Sequence, residues 1–497
     1  MRAISFLTIG CLLTGVARSE DDVEQYMTFP EHFYIGAASS SYQIEGGWNS
    51  NDKGSNIWDF YTHEKPWAIT DRSNGDIACD SYNNYKQDVA FLKDLGVDHY
   101  RMSLSWSRIL PNGFANVVSK DGIRYYKNLL DELRIAGVEP MVTLYHWDHP
   151  QILEELGGWT NDLMVTWFAD YATVVFEELG DRVKFWATLN EVVVFCNNAY
   201  GDGTKAPGKK IPGIGPYLCI HNMLKAHARA YHIYKDKFRE SQEGTIGIVL
   251  PCTASYPKYD NDTETPEINF QYECGLMAHP IFSEKGDYPA VVKERIAENS
   301  KLEGYPKSRL PEFTQEEIDY IRGTADFFGL NHYTSNIVEP VPKKNNTTWY
   351  MDRGVAASFN ASWPHSATKW LRVVPRGLGD TLRKLKSEYN NTLIYILENG
   401  FSDRGTDLID TQRIQYLHDY LRELLIAVNR DGCNVKGYTV WSLMDNFEWD
   451  RGYSERFGLV SVDFAKPSRI RVPKLSYIWF KELIRTRKLP LCNRFTD

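Results

Sequence analysis

The alternation of short apolar runs with longer helix-patterned stretches is what most constrains this chain. β-rich runs recur at residues 33–38, 99–105, 140–147, 184–189, 245–251, 326–333, 392–397 and 436–443. Helical periodicity marks 82–95, 123–135, 163–178, 222–238, 316–322, 378–389 and 412–428. Gly137, Gly180 and Gly432 punctuate the segments. Eight strands alternating with helices predict a parallel sheet closed into a single (β/α)8 TIM barrel, spanning residues 20–497. An open doubly wound sheet is the competitor. It normally carries Gly-x-Gly-x-x-Gly after its first strand, and none follows residue 38. The stretches 253–323 and 334–377 exceed simple connections, so they are expected as long loops over the C-terminal mouth.

Catalytic groups of a barrel sit at the C-terminal ends of its strands. The first run leads into Tyr42-Gln43-Ile44-Glu45-Gly46, and the second contains Arg101 and reaches Trp106. The third ends in His146-Trp147-Asp148 and the fourth in Asn190-Glu191. The sixth holds Asn331 and Tyr333, and the seventh ends in Glu398-Asn399-Gly400. The eighth ends in Trp441-Ser442-Leu443, followed by Asp445-Asn446-Phe447-Glu448-Trp449. Only the fifth end, at Pro251-Cys252, lacks such groups. Any one of these residues alone is more readily a structural histidine or a solvated carboxylate. Their joint placement at one mouth is hard to ascribe to packing, because buried charge is costly without a partner or a purpose. Strands four and seven lie nearly opposite in a barrel, so Glu191 and Glu398 can flank one sugar. Glycoside hydrolysis needs such a pair, one carboxyl to protonate the leaving oxygen and one to meet the cationic carbon.

The N-terminus predicts export. Arg2 precedes an apolar core from Phe6 to Val16, and Ala17-Arg18-Ser19 supplies small residues for cleavage, so residues 1–19 read as a signal peptide. No segment reaches the length of a membrane span. Sequons at Asn261, Asn345, Asn346, Asn360 and Asn390 fit glycosylation on a secretory route, to an extracellular compartment such as a gut lumen. Seven cysteines follow the signal, with no CxxC pair, so neither a zinc site nor a disulfide framework is expected. An odd count requires at least one unpaired thiol. One disulfide is compatible with export, but spacing does not assign it. The net charge of −9, with no basic patch, excludes a nucleic-acid partner.

At these motifs the chain resembles glycoside hydrolase family 1 over nearly its whole mature length. The acid/base motif stands as Thr188-Leu189-Asn190-Glu191-Val192, and the nucleophile motif as Leu397-Glu398-Asn399-Gly400. The resemblance implies a retaining β-glucosidase that uses no metal or organic cofactor and takes a small β-glucoside as its partner. Glu398 would attack C1. Glu191 would protonate the aglycone oxygen and then deprotonate water. Arg101 and Tyr333 would hold Glu398, with Asn331 in support. Asn190 would bind the 2-hydroxyl, Gln43, His146, Glu448 and Trp449 the 3-, 4- and 6-hydroxyls, and Trp441 the sugar face. A carboxylate at Glu448 would also repel a 6-phosphate. Two positions depart from the family pattern: Val192 replaces a proline, and Ser81 a histidine. The segment Ser308-Arg309-Leu310-Pro311 is most similar to the animal branch, particularly insect digestive or defensive enzymes. Two rivals remain. A thioglucosidase (myrosinase) would be supported by a cation for the sulfate of a glucosinolate, with Lys205, Arg376 and Arg451 as sources. An inactive sugar-binding barrel would normally have lost one glutamate.

Overall fold

A computed structural model describes residues 25–342, 347–405 and 407–490. Its centre is a closed barrel of eight parallel strands. These are β1 (Tyr34–Ala38), β2 (His99–Ser103), β3 (Glu139–Tyr145), β4 (Phe185–Asn190), β5 (Thr245–Pro251), β6 (Phe328–Asn331), β7 (Ile394–Asn399) and β8 (Val435–Trp441). Each pairs with its neighbour in sequence, and β8 closes on β1 with Ala38 opposite Trp441. Every expected run overlaps one of these strands, with each end within two residues of the observed one. Outer helices follow: α1 (Ser81–Leu95), α2 (Lys120–Ile135), α3 (Met164–Leu179), α4 (Gly215–Ile233), α5 (Gln315–Ile321), α6 (Arg376–Glu388), α7 (Thr411–Asn429) and α8 (Leu475–Thr486). The floor of the barrel is plugged by Met141, Ala187, Val249, Phe327, Tyr395 and Leu397.

Two irregularities decide where the polar residues point. Strict alternation from Ala187 would turn Asn190 toward the helices, and from Leu397 would do the same to Glu398. The register shifts between Ala187 and Asn190 on β4, and between Ile396 and Glu398 on β7. Such bulges re-aim side chains, and here they turn both residues into the barrel mouth.

The long connections are not plain loops. Residues 253–323 carry the helices Glu264–Phe270, Leu276–Phe282 and Ala290–Leu302. One strand from this stretch, Ala254–Pro257, joins Ser335–Pro340 and Val355–Ser358 in a separate three-stranded sheet. Two disulfides occur, one more than the single bridge compatible with the sequence reading, Cys196–Cys219 and Cys252–Cys274. Each pins a segment just past a strand end to a helical segment. Cys79 and Cys433 are buried free thiols. Residues 1–19, Cys11 and Cys492 lie outside the described residues. No described helix is long and apolar enough to cross a membrane.

Candidate active site

Arg101 rises from the middle of β2 and is almost fully buried. Its Nη1 donates to Glu398 Oε1 at 2.6 Å and to the Leu397 carbonyl at 3.2 Å. Its Nη2 donates to Asn190 Oδ1 at 2.7 Å, and its Nε to Thr143 Oγ1 at 3.2 Å. The second Glu398 oxygen accepts from the Tyr333 hydroxyl at 2.8 Å. Each carboxylate oxygen therefore has one strong donor. Such charge-assisted bonds orient the group and stabilise its negative charge.

Glu191 follows β4 in the left-handed conformation, φ 48° and ψ 52°, which side chains other than glycine rarely adopt. Its N–H donates to the Val249 carbonyl, and the helix Val192–Cys196 starts from it. Asn331 Nδ2 donates to Glu191 Oε1 at 2.9 Å and to Asn190 Oδ1 at 3.2 Å. The chain Glu191–Asn331–Asn190–Arg101–Glu398 thus links both carboxyl groups by hydrogen bonds. Burial pushes the Glu191 carboxyl up, and the neighbouring Glu398 charge pushes it further. Asn331, Arg101 and Lys205 oppose the rise without cancelling it.

The remaining expected residues gather on the far wall, from β1, β3 and β8. Gln43 is wholly buried. Its Nε2 donates to Asn446 Oδ1 and the Phe447 carbonyl, and Ser40 donates to its Oε1. Only the Oε1 oxygen keeps capacity for a ligand. His146 lies parallel to Trp441 and to Trp449, each with ring centroids 5.9 Å apart. Burial, then the Arg101 charge, hold its imidazole well below the usual histidine range, so the ring is neutral. Its Nε2 accepts from Asn190 Nδ2 at 3.3 Å. Trp441 Nε1 donates to Glu448 Oε1 at 3.4 Å. Burial pushes Glu448 up to about 8. Burial thus favours the protonated form of Glu448, which can donate as well as accept.

Some residues of the site were not singled out by the sequence. Thr143 steadies Arg101, and Asn446 with Phe447, inside the quoted eighth motif, fixes Gln43. Trp147, inside the quoted third motif, donates to the Asn190 carbonyl at 2.9 Å. Trp370 is half exposed and meets the Tyr333 ring edge-on at 5.6 Å. A lone tryptophan in a long loop gives no sequence signal. The three candidate sulfate cations are each engaged: Lys205 with Asp450, Arg376 with Asp380 and Arg451 with Glu455. Among the described sequons, Asn261, Asn360 and Asn390 are exposed, while Asn345 and Asn346 lie outside the described residues.

The sequence profile of glycosyl hydrolase family 1 matches residues 25–489. The chain belongs to this family. This family 1 glycoside hydrolase is 46% identical to lactase/phlorizin hydrolase of Homo sapiens over 489 residues, 97% of the chain. It spans a quarter (25%) of that relative's length. It is also 46% identical to Myrosinase 1 of Brevicoryne brassicae, over 93% of the chain and 99% of the relative. A rice Os3BGlu6 β-glucosidase mutant, solved in a covalent complex with Glc, is similar at 37% identity with a TM-score of 0.87. That match covers 92% of this chain and 99% of the rice one.

Proposed function

We propose that this family 1 hydrolase is a secreted β-glucosidase that cleaves terminal β-D-glucosides with retention of configuration. The observation that carries the reading is the asymmetry between two carboxyl groups in one network. Glu398 faces two donors, while burial and the Glu398 charge favour a proton on Glu191. Glu398 attacks C1 as the Glu191 proton passes to the departing aglycone oxygen. A glycosyl ester forms, and the aglycone leaves as its alcohol. The Glu398 charge is then gone, so the Glu191 pKa falls. Glu191 next takes a proton from water, whose oxygen attacks C1 and frees Glu398 and β-glucose. The covalent Glc complex of the rice relative supports the ester step. Gln43, His146, Glu448, Trp449, Trp441 and Asn190 hold the sugar in this scheme.

The test is product stereochemistry and one substitution. Proton NMR of early product should show β-glucose before mutarotation, and Glu398→Gln should abolish turnover. First-formed α-glucose, or an active Glu398→Gln enzyme, refutes the reading. Export rests on residues 1–19, and the two disulfides and exposed sequons agree with it. Mass spectrometry of protein from the medium should find a chain starting near Glu20 and glycans on the sequons. The likeness to Myrosinase 1 favours a second reading, cleavage of a glucosinolate such as sinigrin. The ion-paired state of Lys205, Arg376 and Arg451 weighs against it. No glucose release from sinigrin eliminates it.

A further inference from the structure

One buried ion pair holds together the three long connections that follow β4, β5 and β6. Asp352 lies in the helix Trp349–Arg353, in the connection after β6, and is fully buried. Arg309, in the connection after β5, grips it with two parallel bonds, Nη1 to Oδ2 at 2.7 Å and Nη2 to Oδ1 at 2.6 Å. Tyr217, at the start of α4, donates to Oδ2 at 2.6 Å. Asn299, on the helix Ala290–Leu302, donates to Oδ1 at 3.0 Å. The Asp352 carbonyl accepts from Tyr272 at 3.2 Å, and Arg309 also donates to the Gly213 carbonyl at 2.8 Å. A bidentate arginine–carboxylate pair fixes relative orientation as well as distance. No group of this cluster belongs to the network around Glu191 and Glu398.

Its position gives the cluster a purpose. Gln43, His146, Trp441, Glu448 and Trp449 come from β1, β3 and β8, so the glucosyl ring sits on that side. Glu191, which meets the leaving oxygen, comes from β4, and its partner Asn331 from β6. On the β-glucosidase reading, the leaving group then points toward the connections after β4 to β6. The link to Glu191 is short and covalent for part of its course. The helix Val192–Cys196 begins at Glu191, and Cys196 is bonded to Cys219 on α4, two residues from Tyr217. The segment Ser308-Arg309-Leu310-Pro311, which the catalytic reading left without a role, supplies the arginine.

We propose that Arg309 and Asp352 are positioning residues for the leaving-group side of the pocket. They set the spacing of the three connections, and with it which aglycones fit, without touching the reacting atoms. This rests on the β-glucosidase reading.

The test uses Asp352→Asn, which keeps shape and removes the charge, and Tyr217→Phe, which removes one donor and leaves the ion pair intact. Each full-length variant is assayed for kcat/KM on aryl β-glucosides of matched leaving-group pKa and increasing size, on β-glucosyl fluoride, and for inhibition by glucose. We expect kcat/KM for the largest aglycone to fall about tenfold or more, with fluoride and glucose inhibition changing less than about threefold. Tyr217→Phe should show the same trend more weakly. Equal losses on all substrates, or none, overturn the proposal. If Asp352→Asn does not fold, Tyr217→Phe decides alone. Failure of the underlying reading would appear separately, as turnover in Glu398→Gln.

Discussion

Replacing Glu191 by Gln removes a transferable proton and little else. The amide has nearly the same shape, and its oxygen can still accept from Asn331 Nδ2, which is 2.9 Å from Oε1 in the parent. A general acid of this kind contributes ~10²–10⁴-fold. At 1.36 kcal/mol per decade, that is about 3–5 kcal/mol of transition-state stabilisation. The full loss applies only where the leaving oxygen needs a proton. For an alkyl glucoside, kcat/KM should drop by the whole ~10²–10⁴-fold, whereas for the dinitrophenyl glucoside it should drop less than about tenfold. The assay is kcat/KM, which reports glycosylation, against leaving-group pKa for both enzymes. The variant's plot should be much steeper. The pH profile gives an independent check. The raised Glu191 pKa means the parent loses kcat/KM only as pH climbs well above the ordinary carboxylate range. That alkaline limb should vanish in Glu191→Gln. An equal loss for every leaving group, or a limb that persists unchanged, would refute the assignment of Glu191.

Other substitutions probe the supports. Tyr333→Phe deletes one charge-assisted bond to Glu398, worth ~1.5–3 kcal/mol, so kcat/KM should fall about ten- to a hundredfold with thermal stability nearly intact. Lys474→Met strands the buried Asp445 carboxylate, which Lys474 meets at 2.8 Å, and should cost ~3–5 kcal/mol, read as a lower urea midpoint. Glu448 makes the ligand-free protein less stable as pH rises from the unfolded carboxyl range toward about 8, because the folded state holds its proton longer. Glu448→Gln should therefore lose less melting temperature than the parent between pH 5 and 9, and parallel curves would count against it. Trp370→Ala should raise KM for bulky aryl glucosides while leaving β-glucosyl fluoride nearly unchanged, measured as a KM-against-kcat split.

The barrel was legible because eight runs of β-rich residues are bounded by turn signals, and a strand overlaps each run in the structure. What alternation could not reveal is which way Asn190 and Glu398 point. The bulges on β4 and β7 reverse their parity, and a bulge depends on pairing with a neighbour far off in sequence. The helix Leu475–Thr486 went unread although Tyr477, Trp479, Phe480, Leu483 and Ile484 mark one buried face. Ala290–Leu302 is harder, since only Val292, Ile296, Asn299 and Ser300 are buried and half of those are polar. The Arg309–Asp352 pair joins residues 43 apart whose neighbours carry no shared pattern, so only the folded chain shows it.

Arg101 explains why the two glutamates can differ at all. Left alone, two buried carboxyl groups would share one proton and neither would have a fixed role. Arg101 breaks that symmetry: its Nη1 bonds Glu398 directly, while its Nη2 reaches the Glu191 side only through Asn190 and Asn331. Its direct attraction therefore goes to Glu398, and Glu191 receives the weaker, longer-range part. The same geometry makes the arrangement reversible. Once Glu398 is bound to a sugar, the charge that raised Glu191 disappears while Arg101 stays in place. In the proposed mechanism Glu191 then acts as a base from the same position. On this argument the assignment of acid and nucleophile follows from which oxygen the guanidinium touches, more than from the identity of either glutamate.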